Sequence, residues 1–120
     1  MKLLVDVEMN QILILDESSP ESISIAVPST SLIDKNGYQI VLKARVKVKG
    51  KIWTFHKYDK DPFPSSPHGH NFNDGTKLNP FDGKIYKNKE FFGTLDKHAL
   101  LKVQQELQER GFGNFSVSNN

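Results

Sequence analysis

Hydrophobic and polar positions alternate with a period of two along much of this chain. From Gly37 onward, Tyr38, Ile40, Leu42, Ala44, Val46 and Val48 fall on one side, while Lys43, Arg45 and Lys47 fall on the other. That is the pattern of a half-buried strand. Lys49 and Gly50 then supply a turn signal, and Ile52 to Tyr58 returns with strand-forming residues, so residues 35–60 predict a basic β-hairpin. If Lys49 and Gly50 form a two-residue loop, Val46 opposes Trp53 and Ala44 opposes Phe55 on an apolar face. Arg45 then opposes Thr54 and Lys43 opposes His56 on the other face, with Tyr58 beyond.

The flanking segments carry weaker signals of the same kind. Two short apolar runs, 3–7 and 12–15, predict a first strand pair, and Ser22 to Val27 alternates until Pro28 stops it. These lie in an acidic β segment, 1–34. Asp74-Gly75 and the run from Asn79 to Gly83 are turn signals around a short hairpin, placed at 76–93. Only 95–111 reads as a helix. Asp96 is its N-cap, Leu95 is placed to staple onto Leu100, and Ala99, Leu100, Val103 and Leu107 form an apolar stripe ending at Gly111. Residues 113–120 are a polar tail, and no internal repeat stands out. The expected architecture is a single α+β domain, a mainly antiparallel twisted sheet with one C-terminal helix packed on it.

Composition narrows the setting. With 120 residues the chain fits one domain with one modest core. It has no cysteine, which removes disulfides and thiolate zinc sites. Asp6 and Glu8 interrupt the short apolar start, and no run approaches the roughly 20 apolar residues of a membrane helix. The expectation is a soluble, cytoplasmic protein with no membrane partner. Charge is unevenly distributed: residues 1–34 set one lysine against six carboxylates, whereas residues 35–60 set eight cations against one carboxylate. Such a basic segment either faces phosphate or solvates the outer side of an edge hairpin.

The stretch 61–75, DPFPSSPHGHNFNDG, is where chemistry concentrates. His56, His68 and His70 fall within fifteen residues, and histidine is the side chain that exchanges protons near neutrality. A metal-independent ribonuclease needs a base for the 2′-hydroxyl, an acid for the leaving 5′-oxygen and a cation for the charged phosphorane. These parts are all present here. A second reading has His68 and His70, spaced His-x-His, join Asp59, Asp61 or Asp74, with Asp61 favoured, in holding a divalent metal such as zinc. A third makes the stretch a connector, its histidines bonding nearby carbonyls. Pro62, Pro64 and Pro67 restrict the loop, and Phe63 and Phe72 are expected to anchor it by burial, with stacking on a base as the alternative. His98, in the first helical turn, is a solvated surface residue.

Residues 53–71, WTFHKYDKDPFPSSPHGHN, resemble a pattern in small bacterial proteins of unknown function and, more distantly, the TumE-like toxins of toxin–antitoxin modules. The shared features are a basic strand pair, a Tyr-Asp strand end, a Phe-Pro…His-x-His loop and a C-terminal helix. The resemblance covers about 38–107 and implies a ribonuclease-like domain acting on RNA, with an antitoxin protein as a further partner. It points to His56, Asp59, His68 and His70, with Tyr58 close by. On this reading His56 and His68 or His70 share the base and acid roles, and Tyr58 assists. Lys43, Arg45 and Lys47 hold the phosphate, and no cofactor is needed. The alternatives are a non-catalytic nucleic-acid- or protein-binding module, in which the acidic N-terminal third shields the basic face, and a small metalloprotein.

Overall fold

The computed structural model describes residues 6–8, 11–16, 21–41, 47–57 and 62–117, the side chains of Asp16 and Lys47 excepted. The architecture is α+β: a mainly antiparallel sheet with one helix packed on it. Its strands are β1 (Asp6–Glu8), β2 (Leu13–Asp16), β3 (Ser22–Pro28), β4 (Leu32–Asp34), β5 (Lys47–His56), β6 (Gly69–His70), β7 (Lys77–Leu78), β8 (Lys84–Lys87) and β9 (Glu90–Leu95). The helix α1 spans Lys97–Glu109. In the sheet the order is β2-β3-β5-β6-β7-β8-β9-β4, with β1 added on β5.

That order forces the sheet to curl. β3 lies second and β4 eighth, so a flat sheet would hold them six spacings, about 29 Å, apart. Only the single turn of 3-10 helix at Ser29–Ser31 joins them, a link that reaches about 14 Å at full extension. The two ends must therefore swing toward each other. Ile23, Ile25 and Val27 of β3, Trp53 and Phe55 of β5, Leu78, Ile85, and Leu32 and Leu95 all meet Ala99, Val103 and Leu107 of α1 in one buried cluster. The helix thus lies on the concave side. Its start is set locally: the Asp96 carboxylate accepts from the Ala99 amide at 2.8 Å, and Leu100 packs at the edge of the core.

Two expected pairings are overturned. β5 runs without a break through Lys49 and Gly50, so the hairpin turn placed there does not form. Gly50 instead stands opposite Pro28, and β5 pairs along its length with β3: Ile25 faces Trp53, Ile23 faces Phe55, and Ser22 faces His56. A glycine inside a strand carries the same local signal as one in a turn. Here the long, β-rich partner β3 outweighs the entropic cost of about 0.5–1 kcal/mol. The other overturned pairing is that of the first two strands. β1 pairs with β5 and β2 with β3, rather than with each other. β1 sets Asp6 opposite Lys49 and Glu8 opposite Lys47. The acidic and basic segments are thereby brought side by side, as opposite charges favour.

The hairpin 76–93 forms, with Lys77 opposite Tyr86 and Leu78 opposite Ile85, and is extended by β9. It contains a repeat not evident in the sequence pattern. In the turns 71–76 and 79–84, Asn71 and Asn79 each accept with Oδ1 from the amide two residues on, and Asp74 and Asp82 do the same. In both, the first Asn carbonyl accepts from the glycine amide, Gly75 or Gly83. Two successive strand connections are thus built from one Asx-turn design.

Candidate functional site on the outer face of the sheet

Register assigns the two faces. Through paired positions, Ile23, Phe55, Gly69, Leu78 and Ile85 form a row that points into the core. One residue along, Ser24, Thr54, His70, Lys77, Tyr86 and Phe91 form the matching row on the convex side. This outer row carries the chemistry. Ser24 and Thr54 share a hydrogen bond of 2.8 Å, and Ser22 and His56 share one of 2.7 Å between Oγ and Nδ1. When the hydroxyl donates, the neutral imidazole of His56 carries its proton on Nε2.

His70 is the centre of an aromatic group. Its ring centroid lies 5.5 Å from that of His56, 4.3 Å from that of His68 and 5.8 Å from that of Phe72. The Phe72 ring is within 6° of parallel to His70 and the residue is 76% exposed, so the expectation that Phe72 anchors the loop by burial is overturned. The turn 71–76 explains the difference: Asn71 and Thr76 occupy the buried positions and leave Phe72 at the outer tip.

His68 is placed differently from its two neighbours. It is fully buried, and its Nδ1 donates to the Ser65 carbonyl at 2.7 Å, while the Ser65 hydroxyl donates to the Pro67 carbonyl at 2.8 Å. It therefore organises the proline loop, and the peptides before Pro64 and Pro67 are cis. Gly69 brings β6 close. A Cβ there would stand 2.9 Å from Phe55 and from Trp53, both fully buried, so only glycine lets β6 lie this near while His70 faces outward.

Beyond His70, the row continues into a small pocket of about 190 Å³ lined by Phe63, Gly75, Lys77, Tyr86, Asn88 and Lys89. Phe63 reaches it from the proline loop and meets Tyr86 edge-on, centroids 5.2 Å apart, so it is half-buried at the sheet surface rather than anchored by burial in the core. Lys89 Nζ lies 5.9 Å from the Phe63 centroid. Within the turn 71–76, the Asp74 carboxylate receives the Lys51 ammonium and the Thr76 amide and hydroxyl. Burial alone would raise its pKa, but these hydrogen bonds and the Lys51 charge hold the carboxyl below its ordinary value.

The site residues expected from sequence divide into three groups. His56, His68 and His70 are brought together. Lys43, Arg45, Tyr58, Asp59 and Asp61 lie outside the described residues. Lys47 stands opposite Glu8 in β5, and its side chain is outside the described set. The predicted pairing of Thr54 and His56 with Arg45 and Lys43 is replaced by Ser24 and Ser22, because β3 occupies that side of β5. His98 is exposed, as expected of a solvated helix residue. Among the described residues, no group of three or more His, Asp or Glu side chains is placed to hold a metal ion. Nor is any helix among them long and apolar enough to cross a membrane.

Sequence reasoning missed Ser22, Ser24, Lys77, Tyr86 and Lys89. The two serines were signalled by their alternation with Ile23 and Ile25, but their partner in β5 was not. Lys77 was within reach: once 71–76 is read as a tight turn, His70 and Lys77 must face each other. The chain matches no protein-family model, no curated protein and no solved structure.

Proposed function

We propose that the outer face of the sheet acts on RNA as a metal-independent, toxin-type ribonuclease, with His56 and His70 sharing the base and acid roles. The observation that carries this reading is the placement of two partly exposed imidazoles 5.5 Å apart, with Lys77 directly opposite His70 in the strand register. In the reaction one imidazole takes the proton of a ribose 2′-hydroxyl as that oxygen attacks the phosphorus. The other gives a proton to the departing 5′-oxygen, so the chain breaks and a 2′,3′-cyclic phosphate forms. The Lys77 ammonium stands where the phosphorane's charge grows. Ser22 holds the His56 ring through Nδ1, and buried His68 supports His70 from behind the loop. The resemblance of residues 53–71 to TumE-like toxins supports the same reading and implies an antitoxin protein as partner.

A non-catalytic single-strand-binding module is the second reading, favoured by the exposed Phe72 ring lying parallel to His70. Open aromatic faces beside cations suit unpaired bases. One assay separates the two. Mixed RNA is incubated in EDTA with the wild-type protein and with a His56→Ala/His70→Ala variant. The ribonuclease reading expects wild-type cleavage that is bell-shaped in pH and falls at least ~100-fold in the variant. Retention of RNA without cleavage by folded wild-type protein would replace it with the binding module.

A further inference from the structure

We infer that the pocket between Phe63 and Tyr86 is a mononucleotide subsite, which seats one nucleotide of the strand beside the histidine pair. This rests on the nucleic-acid reading of the outer face and gives it a definite substrate contact. Among the described residues, the lining contains two lysines, Lys77 and Lys89, and no carboxylate. The remaining walls are two aromatic rings set edge to face, an asparagine and the open backbone at Gly75. An anion with a flat aromatic part satisfies all of these: the ring packs against Phe63 and Tyr86, the phosphate meets the ammonium groups, and the Asn88 amide offers both a donor and an acceptor to a base edge. The volume of about 190 Å³ limits the occupant to a single base with part of its sugar.

Other ligand classes fit less well. A free phosphate would leave the aromatic walls unused, and an apolar ligand would leave the charge of the lysines unused. The larger cleft of about 520 Å³ near Phe91 and Phe92 carries Asp34 and Glu90 beside its lysines, which disfavours phosphate there. The position of the small pocket also matters. Lys77 belongs both to the pocket and to the cross-strand pair with His70, so a nucleotide seated against Tyr86 has its phosphate directed along the row toward His56 and His70. The rim is fixed by the tight turn at Asn88 and Lys89, both at positive φ, 53° and 66°.

The test is a titration of the full chain, followed by NMR, with the four ribonucleoside 5′-monophosphates, ribose 5-phosphate and inorganic phosphate. At least one mononucleotide is expected to bind at least tenfold more tightly than ribose 5-phosphate. A Phe63→Leu variant should lose tenfold or more of that affinity. Lys89→Asn, a substitution at an exposed turn position that tolerates positive φ, should lose severalfold without disturbing the fold. Equal affinity for ribose 5-phosphate, or unchanged affinity in both Phe63→Leu and folded Lys89→Asn, would overturn the subsite. Nucleotide binding by a protein that does not cut RNA would retain the subsite and remove the catalytic reading. RNA cleavage without any saturable mononucleotide binding would do the reverse.

Discussion

Asp74 ties the loop to the sheet by charge, and the tie has a pH signature. Its carboxyl is held below the ordinary aspartate value: burial opposes this, but the Lys51 and Thr76 hydrogen bonds and the Lys51 charge prevail. The folded state therefore binds that proton less tightly than the unfolded chain does. The stabilisation is fully present above the ordinary aspartate range, near pH 4, and is lost as the pH falls through the lower folded value. In denaturant titrations, Asp74→Asn should lower the midpoint at neutral pH and flatten its decline in acid relative to wild type. Parallel declines for the two proteins would show that Asp74 plays no such part. Gly69 is the complementary case, set by space alone. A Cβ 2.9 Å from two fully buried aromatic residues leaves Gly69→Ala no room, so it should cost about 1–3 kcal/mol and loosen His70 with it.

Among the elements, those with local determinants were the ones legible in the sequence. The helix was, because cap, stripe and stop lie within sixteen residues, and the Asp96 cap is present at 2.8 Å from the Ala99 amide. Asp96→Ala should lower stability by about 1 kcal/mol, read from the thermal midpoint. β3 and the hairpin β7–β8 were legible for the same reason. β5 was not: its length through Gly50 is decided by β3, which lies on average some twenty-five to thirty positions away and leaves no mark in the local pattern. The same gap explains the site. The His-x-His spacing was visible, as was His56, but the cation beside them was sought in the predicted hairpin partner rather than in Lys77. β4 depends on its neighbour even more directly. A Cβ at Gly93 would come within 2.2 Å of the Ile33 carbonyl oxygen, so Gly93→Ala must separate β4 from β9 or fail to fold. Protection of the Leu32–Asp34 amides from hydrogen exchange should fall first.

At the scale of the whole molecule, curling of the sheet creates the division of labour between its faces. The concave side is filled by α1 and the apolar row, and the convex side is left to Ser22, Ser24, His56, His70, Lys77 and the Phe63–Tyr86 pocket. Overall charge is only +2, and β1 sets Asp6 and Glu8 opposite the lysines at the start of β5. Nucleic-acid affinity on this surface must then come from a few directed contacts more than from a broad basic field. That difference is measurable on short single-stranded RNA held by the non-cleaving His56→Ala/His70→Ala protein. If Lys77 and Lys89 are the two phosphate contacts, log affinity against log salt should fall with a slope of about −1.4, from −0.7 per contact on single strands. Adding Lys43, Arg45 and Lys47 would steepen it to about −3.5. The shallow slope would confine the strand to the row from His56 to Lys89. The steep slope would extend its path over the basic segment 35–60, in direct competition with β1 for the lysines of β5.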